Sequence, residues 1–316
     1  MNAVAASSKV AIVGAGSVGV TLAYACLIRG VTTHLALYDV NADKVRAEVA
    51  DLNHGLQFVA SASVTGSDDI EVCRDADIVV VTAGAKQQPG QSRLELAEAN
   101  VAICRTLIPA LLDVAPDAIL LLVTNPVDVL TYATVRFSGL PAHRVLGSGT
   151  VLDSSRLRLL LARHCQVAVQ SVHAHIAGEH GDSEIPLWSS ATIGAVPLLE
   201  WAVPGRPPLD AEARERIFHD VVNAAEMIIR GKGATNYAVG LAGARIIQAV
   251  VRDERAVLPV SSLLADRGGD VCLSMPSIVD RSGVQAVLPV PLSDAERKGL
   301  DRSSETVRGV IADVGL

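Results

Sequence analysis

Lys9 to Val13 is a short β-branched run that enters Gly14-Ala15-Gly16-Ser17-Val18-Gly19, and Val18 to Arg29 continues with helical spacing. This order of strand, tight turn and helix constrains the fold more than any other feature of the chain. Glycines at these spacings permit a tight turn, close backbone approach to a ligand, and close packing of a helix on a strand. A second strand, His34 to Tyr38, ends at Asp39, 20 residues after Gly19, and Ala42 to Asn53 reads as the next helix. Ile78 to Thr82 and Ile119 to Thr124 are continuous apolar runs, as parallel strands covered on both faces require, and Leu94 to Leu112 supplies a helix between them. Through about Gly147 this alternation predicts an open parallel sheet with right-handed connections. Half of the residues are apolar and only 3% aromatic, which suits a core of Ala, Val, Leu and Ile between α/β layers.

The start of a helix behind a glycine turn attracts phosphate charge. Gly14, Gly16, Val18 and Gly19 are therefore expected to cradle the pyrophosphate of a dinucleotide, in the manner of a Rossmann domain. An Asp at position 39 would bond both adenosine ribose hydroxyls and repel a 2′-phosphate, which predicts NAD rather than NADP. The alternative is a structural glycine turn with a solvent-facing Asp39.

Beyond Gly149 the pattern changes. Leu152 to Arg163 reads as a helix, Val172 to Ala177 as a strand, and Pro204 to Pro208 as irregular. A long helix from Ala211 to Arg230 follows Asp210 as N-cap and is expected to stop at Gly231. Val271 to Ser277 and Val284 to Leu288 flank Asp280-Arg281-Ser282-Gly283 as a hairpin, and the last helix opens on the capping box Ser293 to Glu296. The expected fold is α/β: an N-terminal Rossmann parallel sheet, residues 1–148, then a C-terminal α+β substrate domain, residues 149–316.

A net charge of −7 without a long basic run gives no reason to expect a nucleic-acid partner. Five scattered cysteines without a CxxC spacing point to a reduced, cytoplasmic setting. The uncharged stretch from Val10 to Ile28 imitates a signal peptide or membrane span, but Gly14, Gly16 and Gly19 interrupt it, so no membrane association is expected.

Reaction chemistry concentrates in Gly178-Glu179-His180-Gly181-Asp182 and Asp153-Ser154-Ser155-Arg156. His180 is the proton-exchange candidate, because an imidazole changes charge near neutral pH. Asp153 would orient it and stabilise its charged form. Arg156, three residues further along the same helix face, offers a planar fork for a substrate carboxylate. The plainer alternatives are a structural histidine and a surface arginine. His173 and His175 would share one strand face near His180, yet the sequence offers no cysteine or carboxylate at a recognisable ligand spacing, and no metal is expected. Gly84 to Arg93 is a polar loop with a glycine near each end. It reads as a lid that carries Arg93 in to polarise a carbonyl.

Taken together, these motifs resemble the L-lactate and malate dehydrogenase family, bacterial type, from Lys9 to the final helix. Thr124-Asn125-Pro126-Val127-Asp128 looks like the family's Asn-Pro turn, usually a cis peptide, where Asn125 would contact substrate and nicotinamide. The resemblance gives His180, Asp153 and Arg93 catalytic roles, with Arg93 and Arg156 on the substrate and Thr235 of Gly233-Ala234-Thr235-Asn236 in its pocket. It also points to Gln87 as the selector. Malate dehydrogenases carry arginine there for a second carboxylate, so the neutral Gln87 favours pyruvate, and Lys86 would reach the cofactor phosphates. Arg158 and His173 match positions that bind fructose 1,6-bisphosphate across a subunit interface in many bacterial relatives. The resemblance thus implies reversible reduction of pyruvate to L-lactate with NADH, an activating effector and a homotetramer. Malate dehydrogenase, a broader 2-hydroxyacid dehydrogenase and a non-catalytic NAD-binding module are the alternatives, and Arg158 and His173 have a plainer reading as interface or surface groups.

Overall fold

The computed structural model describes residues 8–85 and 92–316, so Lys86 and Gln87 lie outside the described residues. The first half runs β1 (Lys9–Val13), α1 (Ser17–Arg29), β2 (His34–Tyr38), α2 (Ala42–His54), β3 (Ser63–Ser67), β4 (Ile78–Val81), α3 (Arg93–Val114), β5 (Ile119–Leu122), α4 (Val127–Ser138) and β6 (Val145–Gly147). The second half begins with α5 (Val151–Cys165) and a set of two-residue strands, β7 (Val172–His173), β8 (Ile176–Ala177), β9 (Ile185–Pro186), β10 (Thr192–Ile193) and β11 (Val196–Pro197). It ends with α6 (Ala211–Lys232), α7 (Tyr237–Val251), the strands β12 (Ala256–Leu263), β13 (Cys272–Asp280) and β14 (Gly283–Val287), and α8 (Asp294–Asp313).

Among the described residues nine strands join in one sheet, in the order β14-β13-β12-β6-β5-β4-β1-β2-β3. The stretch from β3 to β6 is parallel throughout, with β1 between β2 and β4. This is the doubly wound order whose strand direction of growth reverses beside β1, where ligands bind beyond the carboxyl ends. The continuous apolar runs follow from burial on both faces. Val10, Ile12, Ile78, Val80, Ile119 and Leu121 pack into one core layer, which includes residues of α1 and α7. Their alternates Ala11, Val13, Val79, Val81, Leu120 and Leu122 pack into another, with α3 and α4. A third, smaller core joins α5, β7, β8 and α6 through Leu157, Leu161, Val172, Ile176 and Val221.

Three expectations change. The predicted strand from Val172 to Ala177 is broken, because β7 pairs with β10 while β8 pairs with β9 in a separate sheet. Gly231 lies inside α6, which ends two residues later at Gly233, left-handed at φ +84° with its N–H on Ile229. The second half is also less separate than the sequence suggests: β12 pairs antiparallel with β6 at Ser261 and Gly147, carrying the predicted hairpin onto the edge of the parallel sheet. All five cysteines are buried free thiols, and among the described residues no helix is long and apolar enough to cross a membrane.

Candidate active site

At the carboxyl end of β1 the three glycines serve different needs. Gly14 takes φ +106°, and a Cβ there would lie 2.7 Å from the Ala83 nitrogen. A Cβ on Gly19 would lie 2.0 Å from the Gly14 carbonyl oxygen, so α1 could not approach β1 with any other residue. A Cβ on Gly16 would meet nothing within 4 Å. Gly14 and Gly19 are thus required by the fold, while the space above Gly16 is left open. Asp39 is fixed at the end of β2, where its carboxylate accepts from the Ala15 N–H at 2.7 Å and the Asn41 N–H at 3.0 Å. A cleft of about 820 Å³ opens here, lined among others by Gly16, Val18, Asp39, Lys44 and Thr124.

Across the sheet end, α5 presents Asp153, 2% exposed, with its two oxygens divided. Oδ2 meets His180 Nδ1 at 2.6 Å and Oδ1 accepts from Arg156 Nη1 at 2.6 Å. The loop after β8 holds His180 because Gly178, at φ +89°, turns the chain and bridges to Ser274 of β13. The next peptide is tied down as the Glu179 N–H donates to Ser303 Oγ at 2.6 Å. Burial disfavours the imidazolium, but the charge and hydrogen bond of Asp153, with Asp128 and Glu184 behind them, outweigh it and raise His180 to about 9. Burial likewise opposes ionisation of Asp153, yet His180 and Arg156 hold it below the usual carboxylate range.

The other predicted residues among those described sit on separate elements. Asn125 precedes Pro126 through a cis peptide, and its carbonyl accepts from Asn100 Nδ2 at 2.8 Å. Arg93 opens α3 and pairs at 2.7 Å with Asp182, both side chains nearly three-quarters exposed. Thr235 is half-buried in the loop between α6 and α7. Arg158 donates to the Ala174 carbonyl at 2.8 Å and approaches His175 Nδ1 at 3.2 Å, while His173 is exposed at the end of β7. Burial lowers the Arg158 pKa, and burial with Arg158 and His173 nearby lowers His175 to about 4.

Residues 8–147 match the lactate/malate dehydrogenase NAD binding domain, and residues 150–315 match the lactate/malate dehydrogenase alpha/beta C-terminal domain. The chain belongs to the lactate/malate dehydrogenase family. It is 56% identical to the L-lactate dehydrogenase of Bifidobacterium animalis subsp. lactis (strain AD011), over 98% of each chain. It is 47% identical to that of Synechococcus sp. (strain JA-3-3Ab), over 97% of this chain and 99% of the relative. The crystal structure of the minor L-lactate dehydrogenase from Enterococcus mundtii in its ligands-bound form superposes with a TM-score of 0.94 at 39% identity, covering 98% of this chain and 99% of that one.

As a member of the lactate/malate dehydrogenase family the chain is an NAD-dependent oxidoreductase. The local chemistry suits that cofactor. The open space above Gly16 admits a pyrophosphate at the start of α1, and the Asp39 carboxylate at the cleft wall suits ribose hydroxyls and opposes a 2′-phosphate.

Two further buried acids, not expected from the sequence, stand beside His180. Asp128, at the start of α4, accepts from the His180 N–H at 2.7 Å and from Ser261 Oγ at 2.6 Å. Burial raises it to about 6, against the effect of those bonds. Its position two residues after Asn-Pro was the available signal. Glu184 is 5% exposed, and its side chain lies beside Asp153 and His180, with ligand-type atoms of the three within 4.8 Å of one another. Asp153 is the partner expected from the sequence, and the fold adds Glu184 beside it. Both Asp153 oxygens and His180 Nδ1 are already engaged with one another and with Arg156, so the donor set suits a hydrogen-bonded proton network better than a cation.

Proposed function

We propose that the chain is an L-lactate dehydrogenase that reversibly reduces pyruvate to L-lactate with NADH. The observation that carries this reading is the 2.6 Å contact between His180 Nδ1 and Asp153, with Arg156 on the other oxygen of the same carboxylate. Asp153 fixes the tautomer, so Nε2 is the nitrogen that exchanges a proton with the substrate oxygen. A His180 raised to about 9 is charged at neutral pH, as a proton donor for ketone reduction must be. Arg156 uses one donor on Asp153 and keeps others of its planar fork for the pyruvate carboxylate. Arg93 turns from Asp182 to the ketone oxygen, leaving a surface pair whose loss costs about 1 kcal/mol or less. NADH, when bound, supplies the hydride. Asn125 and Thr235 complete the substrate pocket, and Gln87 and Lys86 set its selectivity and phosphate contacts.

The same reading divides the chain into an NAD-binding domain, residues 1–148, and a substrate-binding domain, residues 149–316. It assigns a cytoplasmic homotetramer activated by fructose 1,6-bisphosphate through Arg158 and His173. The exposed His173 and the half-buried Arg158, both beside His175, support a phosphate site, and activation at subsaturating pyruvate tests it. For the catalytic assignment, the His180→Ala variant is compared with the wild type in NADH oxidation driven by pyruvate. Turnover is expected to fall by at least about a thousandfold with NADH binding retained, and full activity in the variant would sink the assignment.

A further inference from the structure

Glu184 has no part in the steps above, yet it occupies the most consequential position beside them. The chain turns at Gly181, whose carbonyl accepts from the Glu184 N–H at 3.3 Å, and Ile185 then begins β9. Ile185 packs into the core against α8, near Gly299, while the carboxyl of Glu184 lies beside Asp153 and His180. One of its oxygens, Oε1, is fully buried without a hydrogen-bond partner among the described residues. A carboxylate left in that state is costly, and the proton is the simplest remedy.

The surrounding charges decide when that remedy is needed. α5 contributes Asp153 and Arg156, and the loop itself contributes His180 and Glu179. Asp182 is turned outward to Arg93 of α3, and Asp128 of α4 is held by the His180 N–H and Ser261. On α8, Glu296 accepts from the Ser189 N–H, and Arg302 lies alongside Gly299. With His180 and Arg156 both cationic, Asp153 and an ionised Glu184 balance them. Once His180 gives up its proton, an ionised Glu184 becomes an uncompensated buried charge.

We propose that Glu184 is a positioning residue that tunes the proton affinity of the Asp153–His180 pair through this reciprocal charge balance. The inference rests on the proton-donor role given to His180 above. Burial, then Asp153, raise Glu184 to about 8 against the pull of His180 and Arg156. Glu184 is accordingly neutral at pH 7, and its ionisation on the alkaline side helps His180 keep its proton there.

The test is the pH profile of kcat/KM for pyruvate in the wild type, Glu184→Gln and Glu184→Asp, which separates a tuned proton affinity from mere structural support. In E184Q the alkaline midpoint is expected to move to lower pH by about half to one unit, whatever the absolute rate. E184D, which keeps a titrating carboxyl, should return the midpoint toward the wild type. An E184Q profile that superposes on the wild type, or is only scaled in height, overturns the proposal. A wild type without pyruvate turnover would instead refute the assigned reaction. Infrared difference spectra of the wild-type protein need neither turnover nor a stable variant. A carboxylic-acid carbonyl band lost between pH 7 and 9 is expected, and its absence overturns the proposal.

Discussion

At the scale of single residues, similar letters do different work. Gly14 and Gly19 are demanded by the chain itself, whereas Gly16 leaves space that only a ligand needs. G19A is expected to lose about 2 kcal/mol or more of folding stability, since backbone must shift to admit the methyl. G16A should stay within about 1 kcal/mol of the wild type yet bind NADH roughly tenfold more weakly. Thermal unfolding and NADH titration of both variants check the contrast, and equal loss of stability in the two would refute it. His180 gives a second prediction. Its folded pKa of about 9 exceeds the ordinary 6.5, so its stabilisation is complete below pH 6.5 and is lost as pH rises through 9. Glu184, raised to about 8, acts with the same sign from the acid side of that window. The Tm of the cofactor-free protein should therefore fall from pH 6.5 to 9.5, and less steeply in His180→Ala. His180, Asp153 and Arg156 were legible because their spacing has a helical or loop rationale. Asp128 and Glu184 were not, because proximity across 52 residues or burial beside a neighbouring acid leaves no periodic trace.

Among the secondary-structure elements, local punctuation was the readable part. The Ser293 and Glu296 capping box is present as expected, and Glu296 also accepts from the Ser189 N–H, tying α8 to the segment after β9. Ser293→Ala should cost about 1 kcal/mol, and Glu296→Ala about 2, because the latter also strands the Ser189 N–H. Chemical denaturation measures both, and equal losses would mean that the link to Ser189 contributes nothing. The long helix overran Gly231 because a glycine in a helix carries only a modest penalty, and the left-handed turn that ends α6 falls at Gly233. Val172 to Ile176 alternates apolar residues with histidines, as one continuous strand would. Its break into β7 and β8 is imposed by two different partners, β10 and β9, and partner choice is not written in a local pattern.

For the whole molecule, β1, β2, β4 and β5 were legible from apolar, β-rich runs and a glycine turn, while β3, β6 and the antiparallel continuation of the sheet were not. The β6–β12 junction rests on one paired position, Ser261 with Gly147, and Ser261 also bonds Asp128, which holds the His180 peptide. The junction of the parallel and antiparallel parts of the sheet and the loop of His180 are thereby one hydrogen-bonded unit. The remaining determinant in the proposed function is selectivity, which that reading assigns to Gln87. On that assignment a neutral side chain would leave the second carboxylate of oxaloacetate unpaired, a penalty of roughly 3 to 5 kcal/mol for a broken buried pair. The most direct measurement is kcat/KM of the purified protein for pyruvate and for oxaloacetate, side by side, with NADH. A preference for pyruvate of at least about a hundredfold is expected. Preference for oxaloacetate would contradict it, and would mean that another cation takes the place of the missing arginine.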